Sequence, residues 1–230
     1  MTSTALITGG TGGLGSAVTN AFLGAGWRVV VPWLVEAELG RLGAHDRLEL
    51  VRADLVDQAD VAACAERAAA DVQAPLAAVV NLVGGFAMGG RVHETPVDDF
   101  DRMLRINLRP TYLVTQAALP HLIAAGGGSV VCVSARAARN PFPGAAGYIT
   151  AKAAVSGLVG ALAAEYGRDG VRVNAIMPGV IDTPANRAEQ PEADRSGWVR
   201  PEKIAETILF LCGHNGSAIS GGVIPVAGTG

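Results

Sequence analysis

Seven short apolar runs recur along the chain, and longer stretches of helical spacing lie between most of them. The runs are Thr4–Thr8, Arg28–Val31, Leu48–Arg52, Ala77–Val83, Ser129–Ser134, Arg172–Met177 and Gly222–Val226. Each is short and mostly apolar without strict alternation, the pattern of strands covered on both faces. The helical stretches are Leu14–Gly24, Val56–Gln73, Val97–Ala125, Tyr148–Arg168 and Pro201–Cys212. In Val56–Gln73 the residues Val61, Cys64, Ala65, Ala68 and Val72 fall on one side. Strand and helix in alternation require right-handed crossovers, so the chain reads as α/β: a seven-stranded, doubly wound parallel sheet with helices on both faces. No linker, composition shift or repeat divides residues 1–230, and a single domain is expected.

Composition narrows the function classes. Half the residues are hydrophobic and 17% are charged, so the chain buries enough apolar surface to offset the entropy of ordering, and disorder is excluded. A formal charge of −3 without a Lys/Arg cluster argues against nucleic acid as partner. Two uncharged stretches, 1–27 and 110–135, do not read as membrane or export segments. The first holds seven glycines and no basic start, and the second is interrupted by Pro120, His121 and Gly126-Gly127-Gly128. Cys64, Cys132 and Cys212 sit in apolar segments, and His45, His93, His121 and His214 are scattered, so no metal site is expected. The cysteines suit the core of a protein in a reducing compartment, and a cytoplasmic location is expected.

The first strand runs into Thr8-Gly9-Gly10-Thr11-Gly12-Gly13-Leu14-Gly15 and then a helix. A phosphate bridging such a turn needs backbone without Cβ atoms and a helix N-terminus aimed at the anion. The strand–glycine turn–helix context points to a dinucleotide. Asp54 and Asn81 lie at or just past the ends of the third and fourth strands, where ligands of such sheets bind. Asp54 is placed to accept from an adenine amino group, or to cap the next helix. Asn81 is placed to hold the strand end near a ribose, or to finish a turn.

Tyr148 and Lys152 are four residues apart in a helical stretch and leave one face a turn apart. An ammonium beside a phenol favours phenolate, so a lowered tyrosine pKa is expected, suited to proton exchange with a carbonyl or alcohol oxygen. The 18 basic residues include only two lysines, Lys152 and Lys203, so a compact ammonium stands here in a chain biased to arginine.

Together these elements resemble the short-chain dehydrogenase/reductase family over essentially the whole chain. The matching residues are Thr8-Gly9-x-x-x-Gly13-x-Gly15, Asp54, Asn81, Asn107 in Ile-Asn-Leu, Ser134, Tyr148-x-x-x-Lys152, and Pro178-Gly179 with Thr183. The resemblance implies a single-domain Rossmann fold and hydride transfer with NAD(P)(H). It implies Tyr148 as general acid/base, Ser134 bonded to the substrate oxygen, Lys152 on the nicotinamide ribose, and Asn107 supporting a water relay. Implied cofactor positions are Gly9, Thr11, Gly13, Leu14 and Gly15, Trp33, Asp54 and Leu55, Asn81 and Gly84, Tyr148 and Lys152, and Pro178, Gly179, Ile181 and Thr183. Ile181 and Thr183 would meet the nicotinamide amide. The sequence departs from the family at Asn81-Leu82-Val83-Gly84-Gly85 and at Trp33, which takes the place of a cofactor-selecting acid. Glu36 is the acid weighed in its stead. With Trp33 in the acid's place and no arginine beside it to take a 2′-phosphate, NAD and NADP are left undecided and weak discrimination is expected.

A narrower likeness is to dihydropteridine reductases, in Asp182-Thr183-Pro184-Ala185-Asn186-Arg187, Pro191-Glu192-Ala193-Asp194, Trp198, Gly84-Gly85-Phe86 and Ala135-Arg136-Ala137-Ala138 before Pro143-Gly144. Those enzymes lack the serine, so Ser134 favours carbonyl or alcohol chemistry over a quinonoid C=N. A non-catalytic dinucleotide sensor is the third alternative. Phe86, Arg136 and Phe142 are candidate substrate contacts. Eighteen residues separate Thr183 from Glu202, and Pro184, Pro191 and Pro201 stiffen them, so a small or flat polar substrate is expected. The apolar Ala151–Tyr166 stretch predicts a homo-oligomer, tetramer or dimer, with the resemblance pointing to pairing against Val97–Ala125.

Overall fold

A computed structural model describes residues 2–228. Its strands are β1 (Thr4–Thr8), β2 (Arg28–Trp33), β3 (Leu48–Arg52), β4 (Leu76–Asn81), β5 (Gly128–Val133), β6 (Val171–Pro178) and β7 (Val223–Val226). The helices are α1 (Gly13–Gly24), α2 (Gln58–Ala69), α3 (Val97–Asn107), α4 (Arg109–Ala124), α5 (Ala146–Tyr166), α6 (Pro184–Glu189) and α7 (Pro201–Cys212). All seven strands pair in parallel in the order β3-β2-β1-β4-β5-β6-β7. The chain winds outward from β1 to β3, then returns to lay β4 on the other side of β1. That reversal opens a crevice at the carboxyl ends of β1 and β4.

Side chains alternate across the sheet and both faces are filled. Leu6, Val30, Val79 and Val130 meet Val61 of α2, Leu113 of α4 and Val155 of α5 on one side. Ile7, Val29, Val80 and Val131 meet Val18 and Phe22 of α1 with Ile204 and Ile208 of α7 on the other. Coverage on both faces is why the strands read as continuous rather than alternating apolar runs.

Two helical expectations change. The stretch 97–125 is two helices, because Pro110 in the first turn of α4 has no N–H to give the carbonyl of Ile106. The break at Leu108 leaves Asn107 as the last residue of α3, where its side chain can turn toward the crevice. Helix α2 begins after Asp57, whose carboxylate accepts from the Ala59 and Asp60 amides, and it ends at Ala69. Val72 therefore lies outside it, 83% exposed, in a turn that Asp71 closes on the Gln73 amide.

Candidate active site

The glycine turn is shaped for close approach. Gly9 takes a φ of +66°, where L side chains are strained. A Cβ on Gly15 would sit 1.9 Å from the Gly9 carbonyl oxygen, so α1 can pack on β1 only without one. The first turn of α1 carries no side-chain cap and no acid, which leaves its N–H groups for an anion. Thr183 lies over this helix start, 3.1 Å from where a Gly13 Cβ would be. These features fit a dinucleotide pyrophosphate, with Leu14 next to the turn.

The strand ends place the other expected cofactor residues unevenly. Asp54 is half-buried and accepts from the Val56 amide through Oδ1, which leaves Oδ2 available; the cap of α2 is Asp57 instead. Leu55 is buried beside it. The Asn81 side chain turns inward, donating to Thr115 Oγ1 at 3.0 Å, so only its backbone can border a ligand. Thr8 joins β1 to the loop after β4 by accepting from the Leu82 amide. Trp33 ends β2, half-buried and paired with Arg52. Glu36 is exposed. The acid that reaches the glycine turn is Glu38, in a 3-10 turn over Glu36–Arg41. Its Oε2 accepts from Thr11 Oγ1 at 2.9 Å.

Lys152 and Asn107 converge on Gly84, and the Tyr148 ring lies beside the Lys152 ammonium. A Cβ there would lie 2.6 Å from Asn107 Oδ1 and 3.1 Å from Lys152 Nζ, so the bare backbone forms a cradle for the ammonium and the amide. Asn107 is fully buried and pairs with Gly85 in both directions, donating to its carbonyl and accepting from its amide. Lys152 is 5% exposed and donates to the Val133 carbonyl at 3.0 Å. Desolvation draws its pKa down to about 8. The expected lowering of the Tyr148 pKa is corrected: burial pushes the phenol up. Lys152 Nζ lies 6.0 Å from the ring centroid, bonded elsewhere, and does not offset that desolvation.

Ser134 is the second correction. Its hydroxyl is buried, donates to the Lys152 carbonyl at 2.8 Å and accepts from the Ser156 hydroxyl at 2.9 Å. It points under α5, not into the crevice, because side chains alternate as β5 runs out. Ala135 follows in extended conformation and takes the opposite side with no hydroxyl to offer. Lys152 is thus held twice by consecutive residues, its ammonium on Val133 and its backbone on Ser134.

Aromatic rings border Tyr148. Phe86 meets Tyr148 edge-on at 5.0 Å and Phe142 at 6.4 Å, and both phenylalanines are partly exposed. Arg136 stands exposed in a 3-10 turn after β5. The segment after Pro178 and Gly179 is tied down at both ends. Gly179 donates to Val226, and Ile181 bridges to Val199, with further bonds from Asp182 to Val199 and from Val199 to Val180. Thr183 caps α6 by accepting from the Asn186 amide. Trp198 packs inward at 9% exposure.

A parallel sheet with a glycine turn at its switch point and a Tyr148–Lys152–Asn107 cluster beside it defines a dinucleotide-dependent oxidoreductase. The short chain dehydrogenase family model matches residues 3–194. A 2-(R)-hydroxypropyl-CoM dehydrogenase of Xanthobacter autotrophicus is 33% identical over 99% of this chain and 98% of its own. Among solved structures, a 3-ketoacyl-(acyl-carrier-protein) reductase from Brucella melitensis complexed with NADH superposes with a TM-score of 0.86. It is 28% identical, covering 98% of this chain and 97% of that one. ElxO with NADP bound gives a TM-score of 0.90 at 25% identity, over 98% of this chain and 97% of that one. The chain belongs to the short-chain dehydrogenase/reductase family and is an NAD(P)-dependent oxidoreductase. These matches lend no support to the narrower likeness to dihydropteridine reductases.

Proposed function

We propose that the chain reduces or oxidises a small or flat polar carbonyl or alcohol, with Tyr148 as its proton donor and acceptor. The observation that carries this reading is the meeting of Lys152 and Asn107 at the bare backbone of Gly84, with Tyr148 beside the Lys152 ammonium. Bound in the crevice, a nicotinamide supplies hydride to the substrate carbon or accepts it. The rest falls to the chain. The α1 amides and the turn Gly9–Gly15 hold the pyrophosphate, and the free oxygen of Asp54 accepts from the adenine amine. Lys152 donates to the nicotinamide ribose. Asn107 keeps the Gly84–Gly85 backbone open, and Ile181 and Thr183 border the carboxamide. Tyr148, kept protonated by burial, gives its proton to the oxygen as the carbonyl is reduced and takes it back in the reverse direction.

In this reading Ser134 is a positioning residue. Loss of a donor to a developing oxyanion costs about 10²–10³ in kcat. Loss of a buried structural bond costs about 1 kcal/mol of stability. Ser134→Ala is therefore expected to lower the denaturation midpoint and leave kcat within about threefold of wild type, far from the oxyanion figure. A hundredfold loss of kcat with unchanged stability would return Ser134 to the substrate. The contrast by which Ser134 set aside pteridine chemistry does not survive. Alcohol and carbonyl chemistry rests on the relatives instead.

Those relatives' names cover a hydroxypropyl-CoM and a carrier-protein substrate, so membership leaves size open. The small-substrate reading is supported by the anchored 179–200 segment and by the Phe86–Tyr148–Phe142 rings at the mouth. A higher kcat/KM for a small cyclic ketone than for a long-chain 3-oxoacyl thioester is expected. The reverse order refutes it.

Assembly follows from α4 and α5. Tyr112, Ile123, Leu158, Ala161 and Tyr166 line an apolar groove between the two helices, with Tyr112 and Ile123 exposed. Residues Ala146–Asp169 are apolar enough to cross a membrane by length and composition, yet here they pack on α3 and β6 and leave one face over. A second copy covering that face gives a dimer or tetramer across a two-fold axis. Light scattering at micromolar concentration should show at least twice the chain mass of 23.4 kDa; particles of chain mass alone contradict it.

A further inference from the structure

We propose that Glu38 is the residue that selects the cofactor, and that it makes the enzyme prefer NADH over NADPH. The inference rests on the dinucleotide reading of the crevice. The end of β2 offers only Trp33, which can neither accept from a ribose hydroxyl nor repel a phosphate. The 3-10 turn that follows folds back over the mouth of the glycine turn. It brings two charged side chains onto one residue of that turn. Thr11, 3% exposed, donates its hydroxyl to Glu38 Oε2 at 2.9 Å. Arg41 donates to the Thr11 carbonyl at 3.1 Å and pairs with Glu38 Oε1 at 2.9 Å.

The three groups form a closed set with a defined direction. One bond each from Thr11 and Arg41 fixes both carboxylate oxygens, and each oxygen keeps a further lone pair. A ribose lying over the glycine turn meets these free lone pairs, and a 2′-hydroxyl can donate to them. A 2′-phosphate meets a carboxylate instead. Arg41, the only counter-charge joined to that set among the described residues, is already bonded to Glu38 and to the Thr11 backbone. Both bonds are made by Nη1, so a phosphate that reaches the other guanidinium nitrogens still lies beside the Glu38 carboxylate, which already offsets the arginine's charge. The arginine therefore braces the acid, and the acid offsets its charge. Glu38 is 31% and Arg41 48% exposed at the side chain, so neither is needed for the core and substitution there leaves the fold intact.

The arrangement predicts an asymmetric effect. Removing the charge of Glu38 takes an acceptor from the 2′-hydroxyl and at the same time frees Arg41 for a 2′-phosphate. The test is direct titration of NADH and NADPH, by quenching of protein fluorescence and by calorimetry, without substrate. Wild type is expected to bind NADH at least about tenfold more tightly than NADPH. Glu38→Gln is expected to weaken NADH and tighten NADPH, so that the ratio falls by about tenfold or more. The double substitution Glu38→Gln with Arg41→Ala is expected to lose the gain for NADPH. Equal binding of both cofactors by wild type, or an unchanged ratio in Glu38→Gln, overturns the assignment. Failure of wild type to bind either dinucleotide overturns the cofactor reading itself, and the selector with it.

Discussion

Tyr148→Phe should bind dinucleotide as wild type does and lose at least about 10² in kcat. The ring stays in place, because its edge-on contact with Phe86 and its burial are those of a phenylalanine as well. Only the hydroxyl goes, and with it the proton for the substrate oxygen. The loss should be large because Ser134 cannot stand in: its hydroxyl is committed to the Lys152 carbonyl and to Ser156. A second donor on the substrate oxygen would soften the loss, and Ala135 supplies none. Cofactor affinity by fluorescence and kcat by cofactor absorbance read the two halves separately. A variant with near-wild-type kcat would remove Tyr148 from the chemistry.

Lys152→Arg should be as damaging although the charge is kept. The ammonium sits at 5% exposure, bonded to Val133 and facing a Gly84 position where even one added carbon would lie 3.1 Å away. A planar guanidinium with five donors does not fit that space, nor can Val133 and a ribose satisfy it. Kinetics should show a loss of about 10² or more in kcat/KM, with weakened dinucleotide binding. The pH dependence separates charge from shape. Lys152 loses its proton through about pH 8, so wild-type dinucleotide affinity is expected to fall as pH rises through that value. Arginine stays charged there, and its weaker binding should be flat over the same range. An active Lys152→Arg enzyme with the wild-type profile would place Lys152 outside the site.

The sheet was legible because central parallel strands covered on both faces leave an unbroken buried record, as in Thr4–Thr8; the edge strand Leu48–Arg52 carries Glu49 and is only partly buried, yet its limits too are kept. The glycine turn and the Tyr148–Lys152 pair were legible for a similar reason, since both are local spacings on one element. What failed depended on direction. Ser134 lies at the strand end where a shift of one residue sends a side chain to the opposite face, and composition does not choose between Ser134 and Ala135. Ser156 held the missing signal: it stands one helical turn beyond Lys152, on the same face, where a hydroxyl can reach a strand end. Glu38 was missed because a 3-10 turn has too few residues to show a period, and the acid first in sequence, Glu36, stays in solvent. The sign of the Tyr148 shift is set by burial of the phenol, which depends on tertiary packing such as the Phe86 ring and not on the local Tyr148–Lys152 spacing.

Deuterium transfer tests the central claim most directly. Each nicotinamide cofactor, carrying deuterium at C4 of the transferring face, is incubated with a panel of small cyclic ketones and wild-type or Tyr148→Phe protein. The alcohols formed are then analysed by mass spectrometry. Wild type is predicted to place one deuterium on the former carbonyl carbon of at least one ketone, and Tyr148→Phe to form that alcohol at least about a hundredfold more slowly. Alcohol without deuterium, or equal labelling rates from the two proteins, would contradict hydride transfer assisted by Tyr148.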